Sequence, residues 1–266
     1  MTEEILKKIK QLPPLPESAM QIEAVYQNPD SSFNDMVKIL EKDPLLTADI
    51  LKAANSPLYG FSREINAISQ AVGLFGMGTV RGFALASIVK KSFNLDLSAY
   101  GISNDMFSAL SKKQHGLMTA WCLRKENKLL GVLSPAAFLV EIGKVLIAQQ
   151  IMTDGKEEAF RDALANLGDV EAAEREVVGV DTPEVSATIF AQWKFEEGLV
   201  DVIRNCQNPE NAAEEDQRPA KILHVVRVAV PINGKVTDES VAAAKELIEK
   251  YDLDMESFDT AIENAR

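Results

Sequence analysis

The sequence predicts an all-α protein, a multi-helix globular array of short helices. Three observations lead there. Apolar residues recur at helical spacing along nearly the whole chain, proline and glycine interrupt that pattern at short intervals, and no segment alternates apolar and polar residues over a convincing strand length. Of 266 residues, 46% are hydrophobic and 26% charged, enough apolar surface for a sizeable core.

The first helix carries Ile5, Leu6 and Ile9 and stops at Pro13-Pro14. Leu12-Pro13-Pro14-Leu15-Pro16 reads as extended, because proline fixes φ and turns the preceding residue away from helix. Pro16 suits the first position of the next helix, where a missing N–H costs nothing. That helix carries Met20, Ile22, Ala24 and Val25 and ends at Asn28-Pro29. Ser32 with Asp35 resembles a capping box for a helix bearing Phe33, Met36, Val37, Ile39 and Leu40. Asp43-Pro44 opens another, through Leu45, Leu46, Ile50, Leu51 and Ala54, to a break at Asn55-Ser56-Pro57. An irregular stretch with Tyr59, Gly60 and Phe61 follows, then helices over about 65–75, closed by Gly76, and about 79–93.

The pattern weakens over 94–103, where Tyr100-Gly101 is a turn signal. The chain is therefore expected to be one unit in two lobes, an N-terminal lobe of about 1–95 and a C-terminal lobe of about 96–266. Beyond the boundary the spacing predicts a long helix over about 104–128 and an apolar helix from Ser134-Pro135 to about 152. Short helices follow over 157–166, 170–178, 183–193 and 197–205. Residues 208–216 read as a loop, 218–230 as helix, and Asn233-Gly234 as a turn. Thr237 caps a helix through Tyr251, and Asp254 caps a last one to about 265.

Charge narrows the partners. Asp and Glu total 40 against 28 Lys and Arg, and a net charge of −12 repels phosphate backbones, so no nucleic-acid partner is expected. Two His and two Cys provide for few metal centres. Cys122 and Cys206 are far apart, which fits a reducing compartment. Met1-Thr2-Glu3-Glu4 lacks the layout of a signal peptide. No apolar run is read as reaching the roughly 20 residues of a membrane span, since 136–148 is interrupted by Glu141 and Lys144. A cytoplasmic protein without membrane contact is expected.

Local motifs for chemistry are sparse. Gly73-Leu74-Phe75-Gly76-Met77-Gly78 is the one glycine cluster, but no Gly-Lys-Ser/Thr follows it and no strand precedes it, so Gly76 reads as a helix terminator. The helices flanking it superficially suggest a helix-turn-helix, yet apart from Arg81, Lys90 and Lys91 the second is apolar and reads as core. His115 and His224 are each lone histidines on helices, by default packed or surface residues, and no G-x-S-x-G is present. The acidic stretches 171–176 and Glu214-Glu215-Asp216 read as solvated surface.

Several separated motifs, taken in order, carry a resemblance. They are Leu12-Pro13-Pro14-Leu15-Pro16, Asp43-Pro44-Leu45-Leu46, the run Ala53-Ala54-Asn55-Ser56-Pro57-Leu58-Tyr59-Gly60, and Ile68-x-x-Ala71-Val72-x-x-Phe75-Gly76. Phe138 to Leu146, Glu174 to Gly179 and Ala187 to Trp193 continue it. Together, over about residues 12–209, they resemble the HDOD family, the HD-related output domains of bacterial signalling proteins.

The resemblance implies an HD-like pocket with its ligands gone. Catalytic HD phosphohydrolases bind divalent metal through a His, an adjacent His-Asp pair and a later Asp. In this chain His115 matches the first histidine, Val140-Glu141 the His-Asp pair, Thr182 a later histidine and Cys206-Gln207 a His-His pair. Valine offers no donor electrons, and Glu141 has a reach one methylene longer than aspartate. The resemblance therefore implies no metal, no other cofactor and no catalysis. The expected role is regulatory, in signal transduction, through contacts with other signalling proteins. Two alternatives stay open: a residual metal-dependent phosphohydrolase using His115 and Glu141, and a nucleotide-binding sensor drawing charge from Lys144 and Arg175. Leu58, Tyr59 and Phe61 are candidates for an interaction patch; the competing reading has the aromatics packing a junction between helices.

Overall fold

In the computed structural model, which describes residues 1–59 and 63–265, every long regular element is an α-helix and no strand occurs among the described residues. The N-terminal helices are α1 (Glu3–Lys10), α2 (Glu17–Gln27), α3 (Phe33–Glu41), α4 (Pro44–Ala54) and α5 (Ile68–Lys91). Their starts follow the local signals. The Asp43 carboxylate accepts the N–H groups of Leu45 and Leu46 at 3.0 Å, and Ser32 donates its N–H and its hydroxyl to Asp35 at 3.0 and 2.6 Å.

The two helices expected around Gly76 are both present, running on from one another across a kink within α5. Gly76 stands between them at φ +79°, ψ 163°, a non-helical conformation glycine adopts without the Cβ penalty, so it ends the first helix as expected. Downstream come α6 (Asn104–Cys122), α7 (Leu130–Leu139), α8 (Gly143–Thr153), α9 (Glu157–Leu167), α10 (Val170–Val178), α11 (Thr182–Gln192), α12 (Glu197–Arg204), α13 (Glu214–Ala229), α14 (Asp238–Tyr251) and α15 (Met255–Ala265).

Three boundaries differ from the sequence reading. The long helix stops at Cys122, short of residue 128. The apolar stretch is two helices with a break at 140–142, and Pro135 lies inside α7 instead of opening it. A proline there leaves the carbonyl four residues back without its helical donor. That carbonyl, on Gly131, accepts instead from the Arg81 guanidinium at 3.1 Å. Likewise α13 starts inside the expected loop, with Pro219 within it.

Close approach of α5 and α7 forms the centre of the core. A Cβ on Gly78 would lie 2.7 Å from the Cα of Gly131, and one on Gly82 would lie 2.3 Å from Ser134 Oγ. Gly78 and Gly82 are one helical turn apart, so the second half of the glycine-rich stretch is a packing face. Elements on both sides of residues 94–103 pack together: α1 contacts α8 and α11, and α5 contacts α7. Arg81 is fully buried across the same seam. It is 2.6 and 2.8 Å from the carboxylate of Glu23 in α2, 2.8 Å from Glu196 before α12, and its guanidinium carbon is 4.2 Å from the Tyr26 ring centroid.

The membrane expectation needs one correction. Ile68–Lys91 and Asn127–Thr153 are each long and apolar enough to cross a membrane by length and composition. Burial against other helices takes in 67% and 89% of their most apolar windows, which is how core helices behave, and the second stretch is broken at 140–142.

Candidate functional site

The turn between α7 and α8 brings Val140 and Glu141 to the centre of the molecule. Glu141 is only 3% exposed, and protein cations take both of its oxygens. Oε1 accepts from Arg227 Nε at 2.8 Å and from Gln114 Nε2 at 3.2 Å. Oε2 lies 2.9 Å from Lys144 Nζ and 3.3 Å from an Arg227 terminal nitrogen. Lys144, in the first turn of α8 and 1% exposed, also donates to Thr182 Oγ1 at 3.0 Å and lies 3.4 Å from Glu174 and 3.7 Å from Glu171. Arg227, from α13, pairs in addition with Glu171. Glu174 accepts the N–H and the hydroxyl of Thr182, both at 2.6 Å, and the hydroxyl of Tyr100 at 2.7 Å.

Packing of α8 against α11 builds this arrangement. A Cβ on Gly143 would lie 2.6 Å from the Thr182 carbonyl, so glycine is needed for Thr182 to reach Lys144. Ser186 fastens the turn: its hydroxyl donates to the Val140 carbonyl at 2.6 Å and accepts the Gly143 N–H at 2.8 Å.

Inside the protein, two cations, Lys144 and Arg227, face three carboxylates, Glu141, Glu171 and Glu174. Burial works to raise the Glu141 carboxyl, but Arg227 and Lys144 override it and hold the group well below the ordinary carboxylate range. Burial disfavours the Lys144 ammonium, yet Glu141, Glu174 and Glu171 keep it above its usual value. Burial pushes Glu174 upward, against the donors that favour its ionised form. Burial also pushes the Cys206 thiol up to about 11, and its sulfur accepts from Arg227 at 3.6 Å, so it is no ready thiolate.

Of the six residues the sequence assigned to this pocket, Glu141, Thr182 and Cys206 meet in one network through Lys144 and Arg227. Val140 is buried beside it and contributes its carbonyl. Gln207 lines an adjoining cavity of about 230 Å³ whose walls also include Glu141, Glu171, His224 and Arg227. His115 makes none of the network's polar contacts; its neighbour Gln114 holds Glu141. Adjacent residues on a helix point about 100° apart, so a one-residue offset moves a side chain to another face.

His115 belongs to a second buried group. Its ring stacks on Phe138 at 3.9 Å between centroids, Nδ1 is 2.5 Å from the Tyr59 hydroxyl and Nε2 is 2.7 Å from Ser134 Oγ. Ser134 directs its proton to the Thr79 carbonyl, so it accepts from Nε2–H, and Tyr59 donates to Nδ1. Burial pulls this imidazole down to about 3, so it is neutral at physiological pH. Leu58 and Tyr59, named for an interaction patch, lie in the same place and are half-buried. The Tyr59 ring packs on Phe75 and Phe83 at 5.0 and 5.8 Å, and the Leu58 side chain lies against Gly116. Phe61 falls outside the described residues.

Arg227 escaped the sequence reading, although an arginine between Val225, Val226 and Val228 on an apolar helix signals a buried partner. Arg175, named as a possible source of charge, lies apart from the Glu141 cluster, at 2.6 Å from Asp181 and 3.3 Å from Gln207. His224 lines the cavity wall, with Nδ1 2.9 Å from the Tyr251 hydroxyl. Among the described residues, no group of three or more His, Cys, Asp and Glu is arranged to hold a metal ion.

Comparison with known proteins bears on this geometry. A family model described as HDOD domain matches residues 12–209. A virulence factor from Campylobacter jejuni subsp. jejuni, known from a crystal structure, is 26% identical and aligns with a TM-score of 0.61 over 100% of this chain and 98% of that one. A protein from Shewanella amazonensis provisionally named a phosphohydrolase aligns with a TM-score of 0.71 at 23% identity, over 99% of this chain and 93% of that one, a likeness of fold. A curated protein of Treponema pallidum without a described function is 33% identical over 73 residues, 27% of this chain. That match spans 14% of the relative's length.

Proposed function

Because this chain belongs to the HDOD family, we propose that it is a non-catalytic signal-transduction protein, working in the cytoplasm through contacts with other proteins. The observation that carries this reading is the state of Glu141. Lys144 and Arg227 supply, from within the fold, the positive charge a divalent cation would bring to a carboxylate at that position. A second cation would have to displace a buried ammonium and a buried guanidinium. The neighbouring groups offer no activated nucleophile: Thr182 gives its proton to Glu174, and the Cys206 thiol stays protonated.

The competing reading is a residual phosphohydrolase acting through His115 and Glu141, and the provisional name of the Shewanella protein is what favours it. The test uses untagged full-length protein with magnesium, manganese or iron(II) against nucleoside phosphates and cyclic dinucleotides. No metal-dependent turnover is expected, and a His115→Asn chain should complement a deletion strain as well as the natural chain does. Turnover that is metal-dependent and lost in both His115→Asn and Glu141→Gln, with helicity unchanged, would overturn the proposal.

A further inference from the structure

A second cavity, of about 290 Å³, opens between α4, α5 and α6, away from the Glu141 network. Apolar groups wall it, chiefly Phe83 and Phe138 with Ala53 and Ala86. Around them stand Lys52 from α4, Lys90 and Lys91 from α5, and Lys112 from α6, against one carboxylate, Asp49. Asp49 is already engaged: Lys91 lies 2.8 Å from it and the Ser87 hydroxyl donates to it at 2.6 Å. Lys52, Lys90 and Lys112 form no ion pair among the described residues, and Lys90 reaches only the Ser108 hydroxyl, at 3.4 Å. Burial, helped by the Lys112 ammonium, pulls Lys90 down to about 8. In a chain of net charge −12, four lysines gathered with a single carboxylate, Asp49, around one aromatic-walled cavity run against the overall field.

We propose that this cavity binds a small organic anion built on a planar ring, with its phosphate or carboxylate held by Lys52, Lys90 and Lys112 and its ring against Phe83 and Phe138. The aromatic wall favours a ring over an aliphatic chain, and the ammonium groups favour a compact anion. The inference goes beyond the signalling reading and stands without it, since it rests on other residues. It also gives the protein a small-molecule input. Phe83 and Phe138 are two of the rings that pack on His115, at 5.3 and 3.9 Å between centroids, and α6 carries both Lys112 and the Gln114 that holds Glu141. An occupant would thus touch the wall shared with the Tyr59–His115 pair.

The test is calorimetric titration of the full chain at low ionic strength with AMP, phenyl phosphate, benzoate, inorganic phosphate and adenosine. At least one ring-bearing anion should bind saturably at one site, about tenfold or more tighter than inorganic phosphate and adenosine. AMP or phenyl phosphate prevailing over benzoate identifies a phosphate source, and the reverse a carboxylate. The double variant Lys52→Gln/Lys112→Gln changes two exposed side chains, so its melting temperature should hold while affinity falls about tenfold or more. Lys90→Gln should weaken binding in the same way. The proposal is overturned if no ring-bearing anion binds saturably below about 5 mM, if inorganic phosphate binds as tightly as the ring-bearing anions, or if the lysine variants bind unchanged.

Discussion

Replacing Glu141 with alanine should destabilise the folded protein by about 3 kcal/mol at neutral pH, because it takes from two buried cations the carboxylate they share. Removing one partner from a buried ion pair costs about 3–5 kcal/mol. The lower end applies, since Lys144 keeps Glu174 at 3.4 Å and Arg227 keeps Glu171. Such a loss is more than a hundredfold in the folding equilibrium, at about 1.4 kcal/mol per factor of ten. Urea unfolding followed by circular dichroism measures it. The double variant Glu141→Ala/Lys144→Met should lose less than the sum of the two single changes, with a coupling of about 1–3 kcal/mol, because the second change removes one of the two cations that Glu141 had paired. A Glu141→Ala protein within about 0.5 kcal/mol of the natural chain, a range typical of surface changes, would refute the structural role of this network. So would a more stable variant, the result expected where a carboxylate is held under repulsion for chemistry.

Four further outcomes follow from the geometry. Burial depresses His115 to about 3 in the folded state, so its contribution is full above the unfolded value near 6.5 and lost as pH falls towards 3. Between pH 6.5 and 4.5 that is about 2.3 kcal/mol, and a His115→Asn chain should lack this part of the pH slope in urea midpoints. Gly82→Ala would set a Cβ 2.3 Å from Ser134 Oγ and 3.0 Å from backbone atoms of α7, and should cost about 1–3 kcal/mol. Gly73→Ala meets nothing within 4 Å in the same helix and should gain up to about 1 kcal/mol in thermal unfolding. Elemental analysis of untagged protein prepared without chelator should find well below one tightly bound transition metal per chain, because Glu141 is already paired with Lys144 and Arg227.

The helices and their caps were legible because the interactions that make them span a few residues. Asp43 caps its own next turn, Ser32 closes on Asp35, and Thr237 accepts the Ser240 N–H at 3.1 Å. The family was legible in the order of its motifs, and the loss of the His-Asp pair was visible as Val140-Glu141. The helix limit at Pro135 was not. A proline inside α7 is tolerated because Arg81, far away in sequence, takes the carbonyl it frees, and a local rule cannot see that donor.

The sequence by itself determined a helical chain of HDOD type whose expected metal ligands are replaced. What replaced them was decided only in three dimensions. Glu141 meets Arg227 across 86 positions of sequence, Lys144 meets Thr182 across 38, and Gln114 faces Glu141 while His115, one residue on, turns to Tyr59 and Ser134. Each partnership depends on which helix faces touch and how near they come. Single atoms set those distances at Gly82 against Ser134 and at Gly143 against Thr182, where the absence of a Cβ lets two helices close. Hydrophobic periodicity states that a face is buried but not against what, so the register that turns a histidine into core and a glutamate into half of an ion pair exists only in the packed structure.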